Sequence, residues 1–489
     1  MDTPNPAPVA RRVIPVQPVA TSMIAAEAKI YPRNVKGFYA RWRWVMVWVT
    51  QLVFYGTPWL QWNSHQAVLF DLDGGRFYLF GLLLYPQDLI YLAALMVIGA
   101  LALFFFTALA GRLWCGYTCP QTVYTELFMW IEHHCEGDRM ARQRLDTAPW
   151  GRNKLLRKGA KQLGWTTLAL VTGFTFVGYF TPILQLADQV ATFTLSPWEA
   201  FWVLFYAAAT YGNAGFMREQ VCKYMCPYAR IQSALIDRDS LIISYDAARG
   251  DPRGSRARKS SAAAQGLGDC IDCTLCVQVC PTGIDIRNGL QNECIACAAC
   301  IDVCDGVMDK MGSPRGLIRY ATDNGIENRW SRATMLRRVV RPRVLVYAAA
   351  LTVLCGAFAY SLASRSDLLV DVIKDRNTLA RVIDDGQVEN VYRLQIMNRT
   401  EDALQLRVSV DGLPGLIITS DTRLELPAAA IGALPVRVRL PAGHAGDLGG
   451  RSHPIHFELH HASPRAGAPQ SPGTPALDVH AGSTFYVPR

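Results

Sequence analysis

Five long apolar stretches occur along the chain, separated by polar segments of unequal length. Each has about 20 residues, the length that a helix needs to cross the hydrocarbon core of a bilayer. The pattern therefore predicts five membrane-spanning helices, at residues 44–62, 89–110, 163–183, 198–217 and 344–363. Segment 66–87 is also rich in apolar residues, but Asp71, Asp73 and Arg76 interrupt it. We therefore expect a re-entrant or interfacial stretch there rather than a sixth span.

The distribution of Lys and Arg predicts how these spans are oriented, because positively charged loops stay on the cytoplasmic side. Residues 1–43 carry seven of these side chains, residues 111–162 carry nine and residues 218–343 carry nineteen. The short loop after the first span carries one, and the short loop after the third span carries none. We therefore expect an inner-membrane protein whose N-terminus and wide basic segments lie in the cytoplasm, with residues 364–489 in the periplasm.

The hydrophobic period changes after the last span. Apolar and polar residues alternate there in short runs, separated by turn-forming stretches such as Asp411-Gly412-Leu413-Pro414. This pattern is typical of an antiparallel β-sandwich. The runs lie at residues 388–398, 403–410, 434–440, 454–461 and 483–489.

The whole pattern predicts a multi-domain membrane protein: an α-helical membrane bundle with an inserted domain and a C-terminal all-β sandwich. We expect five segments, which are a cytoplasmic N-terminal tail (1–43), a four-span membrane region (44–230), an inserted cytoplasmic domain (231–343), a fifth transmembrane helix (344–363) and a periplasmic domain (364–489). Prolines oppose regular structure in residues 1–30, so we expect that part of the tail to be disordered.

Composition agrees with this architecture and excludes several functions. Apolar residues make up 51% of the chain and charged residues 18%, a balance that favours a membrane protein over a soluble enzyme. The net charge of +9 follows from the basic cytoplasmic loops, so we expect no binding of nucleic acid. The sequence shows no phosphate-binding loop, dinucleotide-binding glycine motif or nucleophile–base pattern, so an internal nicotinamide or flavin site is not supported.

The strongest chemical signal is a pair of cysteine runs in the inserted domain. Each run has the spacing C-x2-C-x2-C-x3-C, which is typical of bacterial ferredoxins that bind two [4Fe–4S] clusters. In this spacing the fourth cysteine of each run binds the cluster of the other run. We therefore assign one cluster to Cys270, Cys273, Cys276 and Cys304, and the other to Cys294, Cys297, Cys300 and Cys280.

Structural zinc is the alternative for these cysteines. Zinc sites use four ligands in paired C-x2-C arms, often with histidine, whereas these runs contain eight cysteines with no histidine nearby. The pattern therefore favours iron–sulfur clusters. The second run departs from the usual pattern at Asp305, where a proline commonly follows the last cysteine. This residue removes no ligand, but it bears on the local turn and on the potential of the cluster.

A second signal is the motif C-x-Y-x-C-P, which occurs once after the second span and once after the fourth. The first copy supplies Cys115 and Cys119, and the second supplies Cys222 and Cys226. The first four spans therefore resemble two copies of one helical hairpin. A proline after the second cysteine suits the first turn of a helix. We therefore expect Cys119 and Cys226 at helix N-termini, where the helix dipole lowers a thiol pKa.

Such thiols at the cytoplasmic face are suitable ligands for a soft ion such as Cu(I), and they can also do redox chemistry. The alternative is that they are small buried residues that fill gaps between helices. Because both copies lie on one side of the membrane, the pattern favours a functional role. It does not distinguish among metal binding, a transient disulfide and an electron relay.

The remaining cysteines and histidines are weaker candidates. Cys135 and Cys355 stand alone, and we interpret them as packing residues. His133 and His134 are adjacent and would point to different faces of a helix, which favours a solvated surface over a copper or haem site. Four histidines in strand-like sequence could form a periplasmic copper site, but surface positions are the simpler interpretation. These are His453, His456, His460 and His461.

Together these residues resemble the CcoG/FixG/RdxA family, the accessory proteins of cbb3-type cytochrome c oxidase. The resemblance covers nearly the whole chain, and its blocks are long and more specific than a ferredoxin match alone. The blocks are QAVLFDLDGGRFYLFGLLLYPQD, RLWCGYTCPQTVYTE, EGDRMARQRLD, VCKYMCPYARIQSALID, GDCIDCTLCVQVCPTGIDIRNGLQNECIACAACID and DRNTLARVIDDGQVENVYRLQIMN. His133 and His134 belong to none of them.

The resemblance implies an inner-membrane cupric reductase that delivers Cu(I) for assembly of a cbb3-type oxidase, with an immunoglobulin-like periplasmic domain. A cytoplasmic donor would reduce the two clusters, and electrons would pass to copper at Cys115, Cys119, Cys222 and Cys226. Membrane lipid, oxidase subunits and copper carriers are the implied partners, and a homo-oligomer is compatible with the sequence. Two alternatives stay open: a quinone-linked electron carrier of the NapH/NosR type, and a non-enzymatic scaffold for oxidase assembly.

Overall fold

The fold is that of a computed structural model of the chain, which describes residues 29–63, 65–258, 265–375, 380–383, 386–400, 402–445, 448–461 and 479–488. Most of the tail that is expected to be disordered lies outside these ranges. The α-helices, in chain order, are α1 Phe38–Gly56, α2 Leu89–Ala110, α3 Leu113–Tyr117, α4 Pro120–Glu136, α5 Arg139–Thr147, α6 Arg152–Val177, α7 Ile183–Ala191, α8 Pro197–Thr210, α9 Pro227–Leu235, α10 Ala247–Gly250, α11 Leu275–Gln278, α12 Ala299–Met311, α13 Asp323–Glu327, α14 Arg332–Val339, α15 Pro342–Ala363 and α16 Ala442–Ala445.

The strands of the described ranges pair in antiparallel sheets. In chain order they are β1 Gln61–Trp62, β2 His65–Gln66, β3 Val68–Asp71, β4 Arg76–Leu79, β5 Leu82–Leu84, β6 Ile242–Tyr245, β7 Ile318–Ala321, β8 Leu368–Lys374, β9 Arg381–Val382, β10 Val388–Asn398, β11 Leu404–Asp411, β12 Ile417–Ile418, β13 Arg423–Leu426, β14 Ile431–Leu440, β15 Arg451–His461 and β16 Val479–Val487.

A helix lies at each of the five predicted spans, as α1, α2, α6, α8 and α15. The first span, predicted at 44–62, is shifted towards the N-terminus, because α1 begins at Phe38 within the predicted tail and ends at Gly56. Among the described residues, two helices are long and apolar enough to cross a bilayer: Pro86–Ala110, with a mean hydropathy of 2.7, and Pro342–Ala363, with a mean hydropathy of 1.9. Only 0% and 6% of their apolar windows are buried, whereas a core helix of a soluble protein would be covered. The crossing of the membrane by the other three helices, and therefore the five-span bundle, stays a prediction.

The third and fourth predicted spans differ in detail from the helices. The third is predicted at 163–183, but α6 ends at Val177, and Pro182 precedes the separate helix α7. The restricted backbone around a proline favours such a break. The fourth helix, α8, continues as a π-helical segment, Tyr211–Met217. The residue after that segment, Arg218, has a left-handed φ angle of 35°.

Residues 66–87, expected to be a re-entrant or interfacial stretch, contain a small antiparallel sheet of β3, β4 and β5. Their position relative to the membrane stays a prediction. Asp71 and Arg76, two of the charges that interrupt the apolar pattern, are paired residues at the end of the β3–β4 ladder. Their side chains form an ion pair at 3.4 Å. The charges therefore flank a tight hairpin turn, and Gly75 in that turn has a positive φ of 59°.

This small sheet lies against the end of the C-terminal domain. Tyr85 is 1% exposed, and its hydroxyl donates to the carbonyl of Asn398 at 2.8 Å. Asp88 is buried and pairs with Arg365 at 2.8 Å and with Arg399 at 2.6 Å. Removing one partner from a buried ion pair is strongly destabilising. These contacts hold the C-terminal domain against the N-terminal end of α2.

The C-terminal domain is a β-sandwich, as predicted. One sheet has the order β12-β14-β10-β8 with β9 paired to β10, and the other has the order β13-β11-β15-β16. Alternate residues of the long strands fill the core between the sheets, such as Leu394, Ile396 and Phe457, which are 0% exposed. The alternation fixes which face is buried and hence the register of pairing. The five predicted runs are confirmed as β10, β11, β14, β15 and β16.

The inserted domain lies at the start of α1. Strands β6 and β7 pair with each other, and α11 and α12 each begin within a cysteine run. Asp302 on α12 accepts hydrogen bonds from the backbone N–H groups of Tyr39 at 3.1 Å and Ala40 at 2.7 Å. A carboxylate is favourable at this position because a helix N-terminus carries partial positive charge. The contact holds the inserted domain against the first turn of α1.

Candidate metal centre

The two cysteine runs fold into matching loops. In the first loop Asp272 and Thr274 have φ angles of 53° and 55°, and in the second Ala296 and Ala298 have φ angles of 54° and 61°. Left-handed backbone is uncommon for residues other than glycine. Such strain is retained where the surrounding structure requires it, often at functional sites. The same two left-handed positions in both loops show that the runs are one structural unit used twice.

Each loop encloses a cavity lined by cysteines. The first cavity is lined by Cys270, Cys273, Cys276 and Cys304 together with apolar side chains. The second is lined by Cys276, Cys280, Cys294, Cys297 and Cys300. Cys276 therefore lies between the two cavities. Several soft thiol donors around an enclosed apolar space fit the ligand set of a [4Fe–4S] cluster.

Burial dominates the acidity of these thiols. It raises the pKa of Cys276 to about 11 and the pKa values of Cys294 and Cys304 to about 12. Cys273 is exposed. Metal binding at these three buried thiols therefore has to release their protons. Exclusion of water is also one of the factors that set the potential of a bound cluster.

One charged side chain lines the first cavity, and it is paired with carboxylates. Arg287 lines it, but this guanidinium is paired with Asp285 at 2.7 Å and also with Asp272. Asp305, the residue in the usual proline position, accepts a hydrogen bond from the backbone N–H of Gly316 at 2.9 Å. Through this hydrogen bond, Asp305 connects the end of the second run to the segment that leads into β7.

The two C-x-Y-x-C-P motifs have different local structures. The first lies on α3 and the second on a π-helical segment, Val221–Met225. In both copies the second cysteine is the residue before a helix and the proline is its first residue, with Cys119 preceding α4 and Cys226 preceding α9. The predicted placement of these two cysteines at helix N-termini is confirmed.

The expected lowering of the thiol pKa is wrong for Cys119. Burial raises the pKa of Cys119, and hydrogen bonds from the backbone of Gln121 and Thr122 in the first turn of α4 offset it only in part. Burial likewise raises the pKa of Cys115 to about 11 and that of Cys222 to about 12. The helix terminus acts in the predicted direction, but removal of water from the thiol is the larger effect.

The four motif cysteines converge. Cys119 and Cys226 are near enough to raise the pKa of Cys115 further, and all three do so for Cys222. The thiol of Cys115 also donates to Oε1 of Gln232 at 3.5 Å. Gln232 is 0% exposed and lies on α9, directly after the second motif. Thiols from both copies of the motif therefore share one site.

The converged thiols lie against the second cysteine loop. Cys115 and Cys222 pack in one apolar cluster with Ile295 and Cys297. A Cβ atom at Gly116 would stand 2.7 Å from the carbonyl oxygen of Ile295 and 2.8 Å from that of Ala296. Only glycine allows two backbones to approach so closely. The motif site therefore adjoins the second of the two cysteine-lined cavities.

Arg112 joins the motif site to that loop. Its side chain is buried, at 7% exposure. The guanidinium donates to the carbonyl of Asn292, to that of Cys294 at 3.4 Å and to that of Ala229 on α9 at 2.6 Å. The sequence marks this arginine only as one of many basic residues on the cytoplasmic side, because charge counts do not reveal which cation is buried.

A buried carboxylate on α4 contacts the segment that precedes the second motif. Glu132 is 1% exposed and pairs with Arg142 at 3.1 Å and with Arg218 at 2.9 Å. Burial alone would raise the pKa of Glu132, but the two arginines outweigh burial and lower it. Arg218 is four residues before Cys222. This network therefore ties α4, which follows the first motif, to the segment that carries the second motif.

The two isolated cysteines do not join the site. Cys135 is half-buried, and Cys355 is exposed on α15, so the interpretation of Cys355 as a residue that fills a gap in the protein is wrong. Throughout the described ranges, no group of three or more His, Cys, Asp or Glu side chains stands ready to hold a single metal ion.

The histidines lie on other parts of the surface. His134 is exposed, and its Nδ1 is 2.8 Å from the carbonyl oxygen of Trp130, whereas His133 is half-buried. His456 is exposed on β15, and His460 on the same strand is 3.3 Å from the hydroxyl of Ser409. His453 contacts a backbone carbonyl, and the side chain of His461 lies outside the described residues.

Family models match three parts of the chain. Residues 217–323 match a "4Fe-4S dicluster domain", which includes both cysteine runs and the second motif. Residues 92–136 match a "4Fe-4S binding domain", which includes the first motif. Residues 358–488 match a model described as "IG-like fold at C-terminal of FixG, putative oxidoreductase".

Similar proteins extend the likeness over most of the chain. "Nitrogen fixation protein FixG" of Rhizobium meliloti (strain 1021) is 38% identical over 417 residues, 79% of this chain and 80% of that protein. "Protein RdxA" of Cereibacter sphaeroides is 37% identical over 437 residues, 87% of this chain and 92% of RdxA. "Protein RdxB" of the same organism is 38% identical over 417 residues, 82% of this chain and 87% of RdxB. A crystal structure of a FixG-related protein from Vibrio parahaemolyticus also matches. The match covers 25% of this chain and 97% of the Vibrio chain, at 21% identity and a TM-score of 0.20.

Proposed function

This chain belongs to the FixG family, and from that membership we propose that it is a membrane-bound iron–sulfur oxidoreductase that reduces Cu(II) to Cu(I). The dicluster match and the FixG relatives support iron–sulfur electron transfer as the general function. Copper as the substrate is the further part of the proposal, and it rests on the chemistry and position of the motif thiols.

We assign the two clusters by crossed ligation. Cys270, Cys273, Cys276 and Cys304 would hold the first cluster, and Cys294, Cys297, Cys300 and Cys280 would hold the second. The two cavities support this assignment, because each is lined by the three closely spaced cysteines of one run and the last cysteine of the other. When bound, such clusters supply one-electron transfer at potentials that the protein surroundings tune.

We place the copper substrate at Cys115, Cys119, Cys222 and Cys226. The observation that carries this assignment is that Cys115 and Cys222, one from each copy of the motif, pack in one cluster with Cys297 of the second loop. Thiolate sulfur prefers Cu(I), so a site of this kind favours the reduced product. One electron converts Cu(II) to Cu(I), and the thiols release their protons as they bind the ion.

A second candidate for the same four thiols is a third iron–sulfur cluster. The "4Fe-4S binding domain" match at 92–136 favours it. That segment contains only Cys115, Cys119 and Cys135, too few for the four thiolates that hold a [4Fe–4S] cluster. A cluster at the motif site would therefore need Cys222 and Cys226 as well. The iron content per chain distinguishes this candidate from a copper site.

We further propose that the iron–sulfur domain faces the cytoplasm of the cell, where a soluble donor reduces it, and that the sandwich lies in the periplasm. The basic segments and the two apolar helices support this arrangement in the inner membrane. Cu(I) would then pass to copper carriers or to subunits of a cbb3-type cytochrome c oxidase during assembly, with surrounding lipid and a second copy of the chain as further partners.

The test of the copper site replaces Cys115, Cys119, Cys222 and Cys226 with serine. The variant is purified without oxygen, an artificial donor reduces it, and a coloured chelator of Cu(I) reports the rate of Cu(II) reduction. Serine keeps the size of cysteine but removes the soft ligand. We expect a loss of about 100-fold, since even residues that only orient metal ligands cost about 10–100-fold.

The matched control replaces Cys135 and Cys355, the two cysteines outside both runs and both motifs. This control should keep the full rate, and both proteins should keep the iron content of the natural chain. Undiminished Cu(II) reduction by the four-serine variant with its iron intact would contradict the copper site.

A further inference from the structure

We propose that Arg112 is the counter-charge of the second cluster and sets its reduction potential above that of the first. This inference rests on the cluster assignment in the proposed function and adds a direction to electron flow. Electrons that enter at the first cluster would move to the second, which is the one beside the motif thiols. Arg112 is a tuning residue that acts through the cluster, and it does not bind the substrate.

Arg112 is a buried cation whose hydrogen bonds all go to neutral groups. It donates to the carbonyls of Asn292, Cys294 and Ala229, and within the described residues it forms no ion pair with a carboxylate. A buried charge without an opposite partner is costly. An iron–sulfur cluster with four thiolate ligands is anionic, and bound beside Cys294 it would supply the missing partner.

Arg112 lies where its charge can act on the second cluster. The guanidinium touches the backbone of Cys294, one of the ligands assigned to that cluster. A positive charge in a water-poor interior interacts more strongly with a nearby anion than it would in water. Because reduction adds a negative charge to the cluster, the arginine stabilises the reduced form more than the oxidised form. The potential of the second cluster is therefore raised.

The first cluster has the opposite surroundings. Arg287 lines the first cavity, but its charge is offset by two carboxylates, Asp285 and Asp272. Asp305 directly follows Cys304, a ligand assigned to this cluster, and its carboxylate is held there by the N–H of Gly316. Like charges disfavour the addition of an electron, so the potential of the first cluster is lowered.

The order of the two potentials matches the order of the sites in space. The loop of the second cluster packs with Cys115 and Cys222 through Ile295 and Cys297. The loop of the first cluster includes Cys273, which is exposed and therefore accessible to a soluble donor. A lower potential at the exposed end and a higher potential at the thiol end drive electrons one way, from the donor to the copper site.

The test is a redox titration of the full chain, purified without oxygen and followed by electron paramagnetic resonance. The variants are Arg112→Gln, which removes the charge, and Arg112→Lys, which keeps it. We expect the midpoint potential of the second cluster to fall in Arg112→Gln, to recover most of its value in Arg112→Lys, and the first cluster to be unchanged in both. Cys273→Ser identifies the signal of the first cluster, because its ligand set is altered.

Two further variants keep the proposal falsifiable if Arg112→Gln loses iron. Asp305→Asn keeps a hydrogen-bond acceptor for Gly316 but removes the charge, and it should raise the midpoint of the first cluster alone. Arg238→Gln removes an exposed arginine paired with Glu327 and should move neither midpoint. Unshifted midpoints in both Arg112→Gln and Asp305→Asn, or a first cluster with the higher potential in the natural chain, would overturn the inference. These titrations need no copper, so their result can be interpreted even if the assay of Cu(II) reduction fails.

Discussion

Gly116 is a residue at which the backbone of the motif site closely approaches the backbone of the second cysteine loop. The atoms that a Cβ at this position would meet are the carbonyl groups of Ile295 and Ala296. A carbonyl in a loop fixed by cluster ligands cannot rotate away as a flexible side chain would. The proposed electron transfer requires the two sites to lie this close, and they can do so because Gly116 has no Cβ atom.

Gly116→Ala should separate the two sites without removing any ligand. We expect Cu(II) reduction to fall by about 10-fold or more, since a misplacement of about 1 Å can cost about 100-fold. Overpacking should also lower the free energy of unfolding by about 1–3 kcal/mol. The rate assay and a thermal unfolding curve in detergent measure the two effects.

The control is Gly159→Ala on α6, where no atom lies within 4 Å of the added Cβ. It should keep the natural rate and gain up to about 1 kcal/mol, because alanine is the better helix former. A full rate of Cu(II) reduction in Gly116→Ala would show that this contact does not govern electron transfer.

At the residue scale the sequence identified the cysteine ligands, but it did not identify the residues that surround them. The cysteines are visible because ligand spacing along the chain is short and specific. Gly116 and Arg112 are not visible as special, since their roles depend on Ile295, Cys294 and Ala229, which are far away in the chain. The pKa of Cys119 was expected to be lowered because Pro120 in the sequence indicates a helix N-terminus at Cys119. The burial that raises this pKa cannot be read from the sequence.

Helix α4 is the element that combines the site with its electrostatic support. It begins directly after Cys119 and carries Glu132, which binds both Arg142 and Arg218. Because Arg218 belongs to the segment before the second motif, this one carboxylate fixes the relative position of the two motif-bearing segments. Replacing it would leave two buried guanidinium groups close to each other without their shared partner.

Glu132→Gln should destabilise the chain by about 3–5 kcal/mol, the usual cost of breaking a buried ion pair. The folded pKa of Glu132 is lowered below its ordinary value of 4.5, so its contribution to stability is complete above pH 4.5 and is lost as the pH falls through the folded pKa. In the variant this acid-dependent part should be absent. Thermal unfolding midpoints measured from neutral pH to below pH 4.5 test both expectations.

Glu327→Gln is the matched control, because Glu327 is 63% exposed and pairs with an exposed arginine. Exposed pairs contribute about 0–1 kcal/mol, so little change is expected. Equal losses in the two variants, or an unaltered acid response in Glu132→Gln, would argue against the buried network as the support of the site.

Elements with a strong period were predictable, and elements set by distant contacts were not. The sandwich strands β10 and β15 follow from alternation alone, which fixes both their type and the buried face. Residues 66–87 were expected to be a re-entrant or interfacial stretch, and their small sheet was not predicted, because part of its apolar surface packs against the C-terminal domain. That contact, through Tyr85 and Asn398, joins parts of the chain 313 positions apart.

The whole molecule has two functional ends connected by helices. Asp302 holds the inserted domain to the start of α1, and Asp88 holds the sandwich to the start of α2 through Arg365 and Arg399. Helices α2 and α15 pack together between these ends, with Tyr91 contacting Ser361. The arrangement keeps the proposed electron path short and entirely at one end, from the first cavity through the second to the motif thiols.

The most direct test is the iron and acid-labile sulfide content per chain, measured on oxygen-free preparations of the natural protein and of the four-serine variant. Two clusters predict about eight iron atoms and about eight sulfides in both proteins. A natural chain without iron and sulfide would contradict the iron–sulfur function. About twelve of each in the natural chain, falling to about eight in the variant, would contradict the copper site and assign the motif thiols to a third cluster.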